Sequence, residues 1–170
     1  MRNGGGWKSG AAERAAALAF LMSGGMGWAA NVDPARKQAW SENAGWLNFG
    51  PSEGSGLVVN DTFLSGYAWA ENLGWIKLGA SAGGPYANTK SDDWGVNLKP
   101  DGRLEGFAWS ENAGWIRFDP SFSPVTLDRG TGLFDGYAWS ENVGYVHFQN
   151  AAPAYSLRTT KRLTAGTMIL

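Results

Sequence analysis

Ala108-Trp109-Ser110-Glu111-Asn112-Ala113-Gly114-Trp115-Ile116-Arg117-Phe118 is the stretch on which the fold turns. Two short runs suited to strands, Ala-Trp-Ser and Trp-Ile-Arg-Phe, flank Glu-Asn-Ala-Gly. Asn can close an Asx-turn with its own side chain, and Gly supplies a positive φ at little steric cost. The stretch therefore reads as a β-hairpin, with Gly114 as its left-handed corner.

The same unit occurs four times. Ala39 to Phe49, Ala68 to Leu78 and Ala138 to Phe148 repeat the pattern. The leading tryptophans are Trp40, Trp69, Trp109 and Trp139, and the corner glycines are Gly45, Gly74, Gly114 and Gly144. A fixed repeat of this length marks an architecture built by stacking one supersecondary unit. The longest interval, between the second and third copies, holds an inserted loop over 80–93, rich in Gly, Ser, Asn and Asp.

Register follows from loop length. A four-residue loop would pair Ser110 with Trp115, Trp109 with Ile116, Ala108 with Arg117 and Phe107 with Phe118. Opposed residues share a face, so Phe107, Trp109, Ile116 and Phe118 would form the core face. By repetition, Trp40, Trp69 and Trp139 would join Trp109 inside. The other face would carry Ala108, Ser110, Trp115 and Arg117. The position of Arg117 is Asn48, Lys77 and His147 in the other copies, which marks this face as the wet one. Trp46, Trp75, Trp115 and Tyr145 then lie toward water.

A further strand precedes three of the hairpins: Leu57 to Val59, Val96 to Leu98 and Val125 to Leu127. Turn signals such as Lys99-Pro-Asp-Gly102 follow them. Gly66, Gly106 and Gly136 sit within the next strand, where a bulge would correct the alternation. The first copy lacks its leading strand, and Tyr155 to Thr160 has that strand's pattern. The expected fold is all-β: four three-stranded meander repeats closed into a small propeller-like toroid. An open β-solenoid of hairpins is the alternative. Closure removes sheet edges that would invite aggregation.

Composition narrows the function classes. The chain has 170 residues, with 25 Gly, 10 Trp, one His and no Cys. Without cysteine there is no disulfide framework, thiolate metal site or Cys nucleophile. One histidine excludes a multi-histidine metal site. A net charge of −1 gives no electrostatic footprint for nucleic acid. Arg2, Lys8 and Arg14 precede an apolar run from Ala15 to Met22, followed by small residues to Ala30. That anatomy reads as a signal peptide cleaved after Ala29, or as an N-terminal membrane anchor. The expected organisation is residues 1–29 as signal or anchor, 30–160 as the four-repeat β domain and 161–170 as a C-terminal tail. The protein would be exported: periplasmic, cell-surface or extracellular.

The Gly-aromatic-Ala-Trp-Ser-Glu-Asn-x-Gly-Trp unit, over about 38–150, resembles hairpin repeats of secreted, largely uncharacterised bacterial proteins. The resemblance implies export and no particular activity. A looser likeness, in composition alone, connects the chain with Gly-Trp hairpin repeats that bind cell-wall choline.

Trp46, Trp75, Trp115 and Tyr145, with Trp94 beside the inserted loop, are the candidate ligand-binding residues. Such rings stack on sugars and anchor interfaces, although packing between repeats is the ordinary use of large aromatics. The Glu42/Asn43, Glu71/Asn72, Glu111/Asn112 and Glu141/Asn142 pairs read as turn chemistry. One Glu and one Asn per loop fall short of the 6–8 oxygens of calcium. Asp92 and Asp93 are adjacent, and so would point apart in a strand. His147 has no Ser or Cys companion at a recognisable motif. The expectation is therefore no catalytic residue, no metal and no cofactor. The chain reads as a non-enzymatic binding protein whose partner is a glycan or a protein surface. The alternatives are a structural subunit of an extracytoplasmic or membrane-anchored assembly, and a hydrolase using the inserted loop.

Overall fold

The computed structural model describes residues 29–164. The expected signal or anchor segment, with Trp7 and Trp28, and most of the expected tail lie outside the described residues. The described chain is all-β. Its strands are β1 (Val32–Ser41), β2 (Gly45–Asn48), β3 (Leu57–Val59), β4 (Leu64–Ala70) and β5 (Gly74–Lys77). Then come β6 (Val96–Leu98), β7 (Leu104–Ser110), β8 (Gly114–Arg117), β9 (Thr126–Leu127) and β10 (Phe134–Asp135). The last are β11 (Tyr137–Ser140), β12 (Gly144–His147), β13 (Gln149–Ala151) and β14 (Ala154–Thr159). Among the described residues no helix is long and apolar enough to cross a membrane.

The four repeat hairpins are β1–β2, β4–β5, β7–β8 and β11–β12, and they join edge to edge. β2 pairs with β4, β5 with β7, β8 with β11, and β12 returns to β1. The result is a closed eight-stranded barrel, all antiparallel. Propeller blades would pack face to face, so the expected closure is realised as a barrel. The pairing of Trp40 with His147 and Ser41 with Val146 closes the ring that a solenoid would leave open.

The hairpin register differs from the sequence expectation by one residue. Ser110 pairs with Gly114, Trp109 with Trp115, Ala108 with Ile116 and Phe107 with Arg117. The loop is Glu111-Asn112-Ala113, three residues, and Gly114 at φ 72° is the residue that reverses the chain. A type I turn followed by a left-handed Gly closes a hairpin in this way. With a side-chain period of two, the one-residue slip exchanges the faces of the leading strand. The leading tryptophans, expected in the core, therefore face outward: Trp109 and Trp139 are exposed, and Trp40 and Trp69 half-buried. Ala108 and Ser110, expected on the wet face, are fully buried.

This register also removes the need for a bulge. From Leu104 to Ser110 alternation runs unbroken, with Leu104, Gly106, Ala108 and Ser110 buried. Gly106 has a different reason to be glycine: φ is 99°, and a Cβ there would collide with the carbonyl oxygen of Gly95.

The interior follows from the width of an eight-stranded barrel, which side chains just fill. In every hairpin a buried Ala opposes a larger aliphatic: Ala39 with Leu47, Ala68 with Ile76, Ala108 with Ile116, Ala138 with Val146. Below them sit Phe49, Leu78, Phe118 and Phe148, with Phe148 within 5.6 Å of both Phe49 and Phe118 by ring centroids. The loop residues Ala44, Leu73, Ala113 and Val143 are buried in the same apolar cluster. Beyond the phenylalanine layer the chain makes a second tier. β3–β4, β6–β7 and β9–β10 are its short hairpins. The fourth place is filled as expected, by β14 pairing with β1 (Lys37 with Leu157, Val32 with Thr159). Asn31 links this tier to β3 with its amide: Asn31 Oδ1 accepts from Val59 N–H at 2.7 Å, and Nδ2 donates to Val59 O at 2.9 Å.

Candidate functional site

Two consequences of the true register meet on the outer wall. Each leading Trp is paired directly with the second aromatic of its own hairpin. Their rings form edge-to-face or tilted pairs: Trp40–Trp46 at 4.7 Å, Trp69–Trp75 at 5.0 Å, Trp109–Trp115 at 4.7 Å and Trp139–Tyr145 at 4.6 Å. Such pairs contribute about 0.5–1.5 kcal/mol beyond area burial. Here they also hold the rings in fixed orientations at the surface. Trp46, Trp115 and Tyr145 are each more than 40% exposed, and Trp75 is half-buried.

The connecting segments add a second flank to each pair. Tyr155 meets Trp46 at 5.3 Å, Trp94 meets Trp115 at 5.2 Å, and Phe122 meets Tyr145 at 5.9 Å. In the second repeat Gly54 lies against the rim of the Trp75 ring instead, where even a Cβ would be tight. Three repeats supply one more wall aromatic: Tyr67, Phe107 or Tyr137. The structure thus places all five sequence candidates on one aromatic wall, as four similar clusters around the barrel. Trp94 and Trp115 belong to the same cluster.

The seams between hairpins set a polar residue opposite each leading Trp. Asn48 pairs with Trp69, Lys77 with Trp109, Arg117 with Trp139 and His147 with Trp40. Lys77 Nζ donates to Ser81 Oγ at 2.7 Å and lies 5.9 Å from the Trp94 ring. Burial lowers its pKa. Arg117 pairs with Asp119 at 3.2 Å. His147 stacks on Tyr137, with centroids 4.2 Å apart, and its Nδ1 lies 2.9 Å from the Tyr155 hydroxyl. Burial lowers the His147 pKa, against an opposing pull from Asp135.

The Glu-Asn loops have a definite structural use. Each Asn Nδ2 donates to the carbonyl of the preceding hairpin loop: Asn43 to Val143, Asn72 to Ala44, Asn112 to Leu73, Asn142 to Ala113. The glutamates Glu42, Glu71, Glu111 and Glu141 are exposed at the tips. The inserted loop is ordered by Tyr86, whose ring lies against Gly79 and Gly95 and whose hydroxyl donates to Leu64 O at 3.0 Å. Burial pushes the Tyr86 pKa up to about 12. Both Asp93 oxygens accept from Ala87 N–H, while Asp92 is exposed. Among the described residues no three His, Cys, Asp or Glu side chains converge as a metal-binding group.

Sequence reasoning missed the outward leading tryptophans and the flanking Tyr155 and Phe122. The fixed Ala opposite a larger aliphatic in all four copies was the available signal, because a narrow barrel needs small–large pairs inside. No family model, curated protein or solved structure matches the chain.

Proposed function

We propose that this protein is a non-enzymatic, exported binding protein, with a four-fold, toroid-like arrangement of equivalent sites, that takes glycans on its aromatic wall. The observation that carries the reading is the recurrence of one edge-braced aromatic pair on the outer wall of all four repeats, with both rings exposed in the third and fourth, Trp46 exposed in the first and both rings half-buried in the second. Apolar sugar faces stack on such rings, and polar neighbours at Asn48, Lys77, Arg117 and His147 offer partners to hydroxyl groups. Braced rings lose little freedom on binding, which favours affinity. The charged N-terminal start and apolar run support export.

A glycan array followed by titration of tryptophan fluorescence tests this reading. Glycan binding should quench or shift the emission saturably; Trp115→Ala should lower the number of sites, and replacing Trp46, Trp75, Trp115 and Tyr145 together with Ala should weaken binding about tenfold or more, since stacked aromatic anchors contribute about 2 kcal/mol or more. A full array without a hit, with the protein recovered only in a larger assembly, would favour the structural-subunit reading.

A further inference from the structure

We propose that Lys77 and the indoles of Trp94, Trp109 and Trp115 form the seat of an acidic sugar, a uronic acid unit whose carboxylate meets the ammonium while its ring lies on the indoles; this rests on the aromatic wall as a glycan surface. Each seam between hairpins sets one polar residue beside a leading Trp, and only the seam between β5 and β7 presents a cation without a counter-charge. Asn48 is neutral, and its Oδ1 accepts from Gly50 N–H at 3.0 Å. Arg117 is answered by Asp119 at 3.2 Å. His147 Nδ1 lies 2.9 Å from the Tyr155 hydroxyl, and burial favours its neutral form. Lys77 Nζ donates to the neutral Ser81 Oγ at 2.7 Å, and among the described residues no carboxylate stands within ion-pair distance of it. An ammonium has three donors, so the Ser81 bond leaves others free. Lys77 is only half-buried, and a lysine so placed keeps its charged end toward water. Partial burial still lowers its pKa, a loss of hydration that an anion would offset.

The inserted loop supplies two of the parts. Ser81 stands at its start and Trp94 just past its end, and Ala80 N–H donates to Trp94 O at 2.7 Å across its base. Gly79 pairs with Gly95 beside that bond. The pinned base holds Ser81 Oγ at 2.7 Å and the Trp94 ring at 5.9 Å from the ammonium. Trp94 meets Trp115 at 5.2 Å, Trp115 meets Trp109 at 4.7 Å, and Trp109 lies directly across the seam from Lys77. Ammonium and indoles are thus one continuous patch, with Trp109 and Trp115 exposed. Indole faces take the apolar face of a sugar ring, and a compact ammonium takes a carboxylate oxygen through a charge-assisted bond. A uronic acid unit carries both features on one ring.

The test is NMR of the ¹⁵N-labelled full chain, read at the indole N–H of Trp94, which Trp94→Phe assigns. Trigalacturonate, trimannuronate and triglucuronate are each titrated beside their own methyl esters, which keep the ring and lose the charge. At least one acid should shift this resonance saturably and bind about fivefold or more tightly than its ester, the upper range of an exposed ion pair. Lys77→Gln should bind acid and ester alike while the other indole resonances report a folded chain, and Lys77→Arg should keep the preference. Lys90→Gln, which removes an exposed cation of the same insert, should keep it too. Equal binding of acid and ester by the parent, a preference that survives Lys77→Gln, or one lost in Lys90→Gln would overturn the assignment. So would acids that bind without moving Trp94, or that do not bind at all. Neutral glycans that still shift wall indoles would then leave the aromatic-wall reading standing, and their failure as well would remove both.

Discussion

At the hairpin end of the barrel one bond recurs four times, an Asn amide reaching the neighbouring loop carbonyl, and no repeat is privileged. At the other end the four turns differ, and Arg129 from one of them reaches carbonyls of the other three segments, at Asp61, Lys99 and Thr164. The first end needs only local sequence, copied. The second gathers its contacts from distant parts of the chain. Copied bonds spread the cost of a mutation over the ring, whereas a hub concentrates it.

The largest expected effect comes from removing the hub. Arg129→Met keeps much of the side-chain volume but deletes every donor. Hydrogen bonds to a charged group contribute about 1.5–3 kcal/mol each when well made. Only the 2.9 Å bond to Lys99 is both short and partly buried. The variant should therefore lose about 2–3 kcal/mol in urea denaturation. A loss below about 0.5 kcal/mol would show that the far end is held by its strand pairs alone, and the contrast would collapse.

The hairpin end offers a finer break, because its symmetry is imperfect. In three repeats a buried Ser shares the work of the Asn: Ser41 donates to Val143 O, Ser110 to Leu73 O and Ser140 to Ala113 O. The second repeat has Ala70 there, so Ala44 O receives the Asn72 bond without a Ser companion. Asn112→Ala leaves Leu73 O with one side-chain donor and should cost about 0.5–1 kcal/mol. Asn72→Ala leaves Ala44 O with none and should cost about 1.5 kcal/mol, toward the penalty of an unsatisfied buried acceptor. Parallel denaturation curves decide it; equal losses would mean that the serines contribute nothing to the ring.

The same features show what the sequence made legible. The repeats, the hairpins, the left-handed corners at Gly45, Gly74, Gly114 and Gly144, and the closing strand at Tyr155 to Thr160 are local or periodic signals. The sequence reading recovers all of them. Whether the loop spans three residues or four turns on whether Ser110 pairs with Gly114 or with Trp115, and that pairing decides which way Trp109 and Ala108 point. Composition favours the wrong answer, because large aromatics usually lie in cores. Only the diameter of the closed barrel shows that Trp109 does not fit inside and Ala108 does. The second aromatics reach the wet face in either register, so the candidate site survives the slip, though its leading Trp partners do not appear in the sequence reading. Arg129 is invisible to a reading based on repeats, since its partners lie 30, 35 and 68 residues away.

The smallest expected effect is also the sharpest test of the ring. Ala70→Ser would install in the second repeat the hydroxyl that the other three carry. Ala70 is fully buried, so an added hydroxyl is costly unless it finds a partner. The neighbours say that it would. Ala44 O lies where Val143 O, Leu73 O and Ala113 O accept from the native serines. On the other side, Ser41 and Ser110 Oγ accept the N–H of Ala44 and Ala113, the residues that correspond to Leu73. The acceptor is in place, while the Leu73 N–H already donates to Ala70 O at 3.1 Å, so Ala70→Ser should be neutral or stabilising by up to about 1 kcal/mol, the net contribution of the one hydrogen bond to Ala44 O. It should also reduce the cost of Asn72→Ala to that of Asn112→Ala. A double-mutant cycle between positions 70 and 72 measures that coupling. A loss of more than about 1 kcal/mol on Ala70→Ser would mean that the second hairpin is packed differently from its three copies, and that the fourfold ring is only a main-chain symmetry.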